Sequence, residues 1–447
     1  MKSSGKKWVF RFFFFLVLVA AFPGTVPGQE GLPPQGKPLN LEQCIELALK
    51  YQPNLHASQA SIEAQKARAE QALAAYYPQI NFNASYNTAT NNFLTVGGGT
   101  AGFTRNNGGW TFFDIFAMGP TLNQLIYDFG RTANTVKISR ENTRASELDR
   151  DTVRLNVVLN VKQAYYSVLQ ALALIQVAEE TLNQNQKRLE QAKGFYEAGT
   201  RPKIDVTNAE VNLANVQLAL IRAKNGYHVA RAALNNAMGL REDLQFAIER
   251  IGEIRPQLPA MDSILDSAYA RRPEILQLKA KQRGQEGAID LARSGYYPIL
   301  SGNASHLWRT NQPFNDLQWD WSLGATLTVP IFSGFSTPNQ IVEAKAILKN
   351  LEAQEESLRQ NIRLEAEQAY IGLKEAIESI AVTEKSVSQA KENYDLASGR
   401  YQVGVGQPLE ITDAEVLLAN SRASYINALY NYKVAEARID KAMGITR

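Results

Sequence analysis

"AAYYPQINFNASY" (Ala74–Tyr86) and "SGYYPILSGNASH" (Ser294–His306) share Tyr-Tyr-Pro and Asn-Ala-Ser at the same spacing, 220 residues apart. Each follows a charged, helix-like run and opens a segment in which apolar and polar residues alternate. Ile80, Phe82, Ala84 and Tyr86 alternate with Asn81, Asn83, Ser85 and Asn87. In the second copy Trp319, Trp321, Leu323, Ala325 and Leu327 alternate with Asp320, Ser322, Gly324, Thr326 and Thr328. A period of two marks a strand with one apolar and one polar face. In a soluble protein the apolar face would pack on a core; in an outer-membrane barrel it would meet lipid, flanked by aromatic girdles. Beyond residue 28 the tryptophans (Trp110, Trp308, Trp319 and Trp321) all fall in these segments, which favours a membrane interface.

The likeness extends along the chain. At an offset of 205, "YEAGTRPKIDVTNAEVNLAN" (Tyr196–Asn215) aligns with "YQVGVGQPLEITDAEVLLAN" (Tyr401–Asn420), and Met238-Gly239 with Met443-Gly444. The first copy holds 15 more residues, all between Pro78 and Gly119, in a Gly-, Asn- and Thr-rich stretch that reads as a loop. A period this long is a duplicated half rather than a solenoid repeat. The expected organisation is a signal peptide at 1–28, a first repeat at 29–250 with a β-hairpin near 78–128, and a second repeat at 251–447 with a hairpin near 298–333. Each repeat reads helix, hairpin, long helix, turn, helix.

The N-terminus carries Lys2, Lys6, Lys7 and Arg11 before an apolar run of eleven residues, Phe12 to Phe22. That run is short for a spanning helix and reads as a cleaved secretory signal. Its removal takes four of 47 basic residues and none of 44 acidic ones, so the remaining surface is near neutral. Nucleic acid is therefore not an expected partner. One cysteine, Cys44, and three scattered histidines give no disulfide and no metal cluster. No nucleophile elbow, phosphate loop or dinucleotide fingerprint is present, so neither enzyme activity nor a cofactor is expected.

Heptads follow each turn motif. Val206, Ala209, Leu213, Val216, Leu220, Ala223 and Tyr227 keep a 3-4 rhythm, repeated at Ile411, Ala414, Leu418, Ser421, Tyr425, Ala428 and Tyr432. Proline-free runs, Gly130 to Ala198 and Asn339 to Val403, precede the turns. The first would make a helix of about 100 Å. Helices alone would suit a periplasmic coiled-coil scaffold or an adaptor without a pore. The strands argue otherwise, because four per chain cannot close a barrel and unpaired edges cannot sit in lipid. Two copies would give eight strands and a filled lumen, three copies twelve and a pore.

With its tandem halves, its Tyr-Tyr-Pro entries and the turn motifs "AGTRPKIDVTNAE" and "VGVGQPLEITDAE", the chain resembles the TolC-like family of outer-membrane efflux proteins. The resemblance implies a mainly α fold with membrane β-strands: a homotrimer whose twelve-stranded outer-membrane β-barrel continues into a long periplasmic α-helical barrel. It implies the exit duct of a tripartite efflux or type I secretion system. It also implies contact with outer-membrane lipid, a periplasmic adaptor (membrane fusion) protein and an inner-membrane pump of the RND, ABC or MFS type. The periplasmic entrance falls on the helix turns. Carried over by position, its acidic rings are Glu410 and Asp413, its tethering tyrosine Tyr401, and the tyrosine's acidic partner Asp205. The tethering arginine's position holds Gly406, with Arg201 in the first copy the nearest substitute. Gly199, Gly404 and Gly406 read as turn glycines, the first two with positive φ.

Overall fold

The computed structural model describes residues 38–90, 112–240, 247–249, 256–310 and 318–446. The expected signal at 1–28 and the long loop around Gly97–Gly99 lie outside the described residues. The chain runs α1 (Leu41–Tyr51), α2 (Pro53–Leu73), β1 (Gln79–Thr90), β2 (Phe112–Tyr127), α3 (Arg131–Glu197) and α4 (Lys203–Ala237). It then repeats the order as α5 (Met261–Arg271), α6 (Pro273–Arg293), β3 (Ile299–Thr310), β4 (Gln318–Thr328), α7 (Ser336–Gln402) and α8 (Pro408–Ala442).

Local chemistry sets the boundaries. Asn40 and Gln43 form a reciprocal capping box at the start of α1. α1 ends at Tyr51, with its cap residue Gln52 held extended before Pro53, and α5 ends the same way at Arg271, with Arg272 extended before Pro273. Each proline then takes the first position of the next helix, where its missing N–H costs nothing. A short 3-10 turn (Ala74–Tyr76, Ser294–Tyr296) and the proline of Tyr-Tyr-Pro hand each helix to a strand. α7 begins three residues before its proline-free run, because Pro338 fits in the first turn.

α3 and α7 are each 67 residues, about 100 Å long. α3 packs on α2 and α6 toward the sheet and on α4 and α8 beyond the middle, while α7 packs on α6 and then on α8. The shorter helices therefore stack end to end along the long ones. Where they meet, Gly239 and Gly444 both take φ +73°. A Cβ on Gly239 would lie 2.7 Å from the Gln52 Cα and the Tyr51 carbonyl. Only glycine allows this approach, which accounts for the repeated Met-Gly.

The two main cores lie around these junctions. One joins Cys44, Ala48, Val161, Tyr165, Leu234 and Met238, the other Ile264, Ala366, Leu373, Tyr432 and Ile439. Burial pushes the Cys44 thiol up to about 12 and leaves it inert. The strands form one antiparallel sheet in the order β1-β2-β3-β4, with β1 and β4 as open edges.

Candidate functional site

The sheet registers pair Tyr86 with Phe116, Met118 with Trp308, Trp308 with Trp319 and His306 with Trp321. These side chains share one face with Ile80, Phe82, Leu323 and Leu327, and much of that face is exposed in the single chain. Near the hairpin tips the His306 ring sits edge-on to Trp308 at 4.5 Å and 5.7 Å from Trp319. Trp110 lies outside the described residues.

A second aromatic level, missed in the sequence, lies at the helix end of the strands. It comprises Tyr76, Tyr77, Tyr127, Phe129, Tyr297 and Phe335, all exposed. Phe129 stacks on Tyr297 at 5.6 Å and meets Tyr127 edge-on at 4.7 Å. Phe129 and Phe335 adopt left-handed backbone, at φ 53° and 64°, one at each strand-to-helix handover. Such a conformation is costly for a bulky residue. From Tyr297 to Trp308 a strand rises about 37 Å, or about 26 Å along the normal at 45° tilt, matching the apolar band of a membrane barrel. Among the described residues no helix is long and apolar enough to cross a membrane.

At the other end the two helix turns meet. Each closes with a paired C-terminal motif: Gly199 N–H to Tyr196 O with Thr200 N–H to Phe195 O, and Gly404 N–H to Tyr401 O with Val405 N–H to Arg400 O. Gly199 and Gly404 supply the required positive φ, 68° and 82°. Tyr401 is buried between the turns, edge-on to Phe195 at 5.8 Å, with the Arg188 and Arg201 guanidiniums 5.6 and 5.4 Å from its ring. Arg201 also donates through Nη2 to the Gly406 and Gly404 carbonyls at 2.9 and 3.3 Å.

The same geometry constrains Gly406. A Cβ on Gly406 would lie 2.8 Å from Tyr401 N and 2.9 Å from Arg400 C, both backbone atoms. No side chain fits there unless the turn moves, and Arg201 of the opposite turn donates to the Gly406 carbonyl. Asp205 is half-buried, and its Oδ2 is buried without a hydrogen-bond partner. It acts on Tyr401 through charge; burial, chiefly, raises that hydroxyl's pKa, and Asp205 adds to the shift. Glu410 and Asp413 are exposed, and Glu410 meets Arg400 at 3.3 Å.

One further pair escaped the sequence. Arg188 of α3 and Glu415 of α8 meet at 3.3 Å, both buried, one turn above Tyr401. Burial pushes the Glu415 carboxyl up, opposed by Arg188. Its only signal was the Glu of "TDAE", whose counterpart Glu210 is exposed. No group of acids, histidines or cysteine able to hold a metal occurs among the described residues.

A sequence profile described as "Outer membrane efflux protein" matches residues 44–240 and 264–445. The chain is 22% identical to "Outer membrane protein TolC" of Escherichia coli K12, over 91% of this chain and 82% of that protein. It is 25% identical to the same organism's "Cation efflux system protein CusC", over 86% and 82% of the two chains. Its fold superposes on the Campylobacter jejuni CmeC outer membrane channel with a TM-score of 0.76 at 19% identity, covering 90% of this chain and 85% of that one.

Proposed function

The chain belongs to the outer membrane efflux protein family, and on that premise we propose that three copies form the exit duct of a tripartite efflux or type I secretion system. The protein is an outer-membrane efflux channel whose helical part lies in the periplasm. One observation carries the reading. A sheet with two open edges and an apolar face bounded by two aromatic levels is fused to helices of about 100 Å. Open edges in lipid leave backbone groups unpaired at several kcal/mol each, so β1 of one copy must pair with β4 of the next. A scaffold without a pore would have no use for that face.

The repeats at 29–250 and 251–447 are the duplicated halves, each contributing one hairpin and one pair of long helices. The partners are a periplasmic adaptor and an inner-membrane pump. The helix turns are the entrance. Arg201 works as its latch, tying the first turn to the carbonyls of the second, while Glu410 and Asp413 of three copies face the aqueous mouth. Purified protein in planar bilayers tests both parts. The duct reading expects discrete conductance steps, and the latch reading expects larger or more frequent openings in Arg201→Ala. A protein that stays soluble and never conducts would overturn the first. Unchanged openings in Arg201→Ala would overturn the second.

A further inference from the structure

Among the described residues the polar face of the sheet is almost without charge. Its amides and hydroxyls bond across the strands: Asn83 Nδ2 donates to Thr121 Oγ1 at 3.0 Å, and the Ser305 and Ser322 hydroxyls lie 2.9 Å apart. Among the described side chains of this face only Arg309 and Asp320 are charged, and they meet at 3.6 Å near the hairpin tips. The registers put both on the face opposite Trp308, Trp319 and Trp321.

We propose that the β-section of the duct does not sort cargo by charge, because the charges that the described side chains of its polar face carry cancel within each protomer as the Arg309–Asp320 pair. The proposal rests on the trimeric-duct reading. Three unpaired arginines, or three unpaired aspartates, would form a single-sign ring of the kind that selects ions. Opposite charges 3.6 Å apart present instead a short dipole, whose field is largely screened within a Debye length of about 8 Å. The wall is then a neutral, hydrogen-bonding surface that passes polar solutes of either sign. Discrimination by charge is left to the helical mouth, where Asp413 is exposed.

Both side chains are more than half exposed, so removing either charge strands no buried partner. Reversal potentials in a potassium chloride gradient across a planar bilayer provide the test. Asp320→Asn should shift the reversal potential toward the chloride value and Arg309→Gln toward the potassium value. The double variant should return to the wild-type potential, and Arg309→Lys, which keeps the pair, should not depart from it. Open channels with unshifted potentials in both single variants, or shifts of the same sign, would overturn the proposal. A wild-type protein that never conducts would instead defeat the duct reading, and the proposal with it.

Discussion

α4 and α8 are the same helix written twice, yet they are buried differently. On α8 the heptad seam is sealed: Ile411, Ala414, Leu418, Ser421 and Tyr432 are buried. On α4 the matching Val206, Leu213, Val216 and Tyr227 are only half-buried. Ile221 is 65% exposed and Val229 62%, whereas Ile426 and Val434 at the equivalent positions of α8 are half-buried. Neighbours make the difference, since α8 lies between α7 and α3 while α4 has α3 on one side only. The far side of α7 is similarly bare, with Leu364, Ile371 and Val382 exposed. Two equivalent sequences thus yield one interior helix and one edge helix. The sheet repeats the lesson, with β1 and β4 at its edges.

The contrast breaks most visibly if the α4 edge is charged. Ile221→Asp with Val229→Asp should abolish the trimer and leave a helical monomer, read by light scattering on a sizing column. A trimer of normal size would mean the edge is not an interface. In that monomeric background, Leu418→Ala should cost about 2–5 kcal/mol as a buried deletion, and Leu213→Ala about half that or less. Unfolding followed by helical circular dichroism measures both, and equal losses would erase the distinction.

Two ion-pair groups sharpen it further. Glu415 is pushed up by burial, so its contribution is full below its unfolded value of about 4.3 and lost as pH rises through the folded value. Glu365 is also raised by burial, but hydrogen bonds and charge from Arg272 and Lys441 outweigh this and hold it low. Its contribution is therefore present above about pH 4.3 and lost as pH falls through the folded value. Melting temperature against pH should show Glu365→Gln flattening the acid-side loss and Glu415→Gln flattening the decline above it. Matching profiles would contradict the two environments.

The duplication, the heptads and the alternating strands were legible because each is a pattern of side chains along the chain. The Arg188–Glu415 pair was not, because reading the halves for likeness hides what only one half carries. Arg201 was visible as a substitute cation, but its acceptors are backbone carbonyls, which have no letter in the sequence. Gly406 looked like a lost arginine until the approach of Tyr401 N showed that no side chain fits. The inner aromatic level gathers tyrosines and phenylalanines from four separate places in the chain. The smallest effect belongs to an exposed pair: Arg400→Gln should cost only about 0.2–1 kcal/mol through Glu410. A larger loss in the same unfolding assay would make that turn more than a surface contact.

Closure of the two edges by neighbouring copies is the central claim, and cross-linking reads it directly. Cysteines placed at Asn83 on β1 and Ser322 on β4 belong to opposite edges of one sheet, and the native thiol, Cys44, is buried. A flexible bis-maleimide applied to the double variant in membranes should give monomer, dimer and trimer bands on a denaturing gel, and nothing larger. Bands that stop at the monomer, or that run on past the trimer, would contradict a closed ring of three.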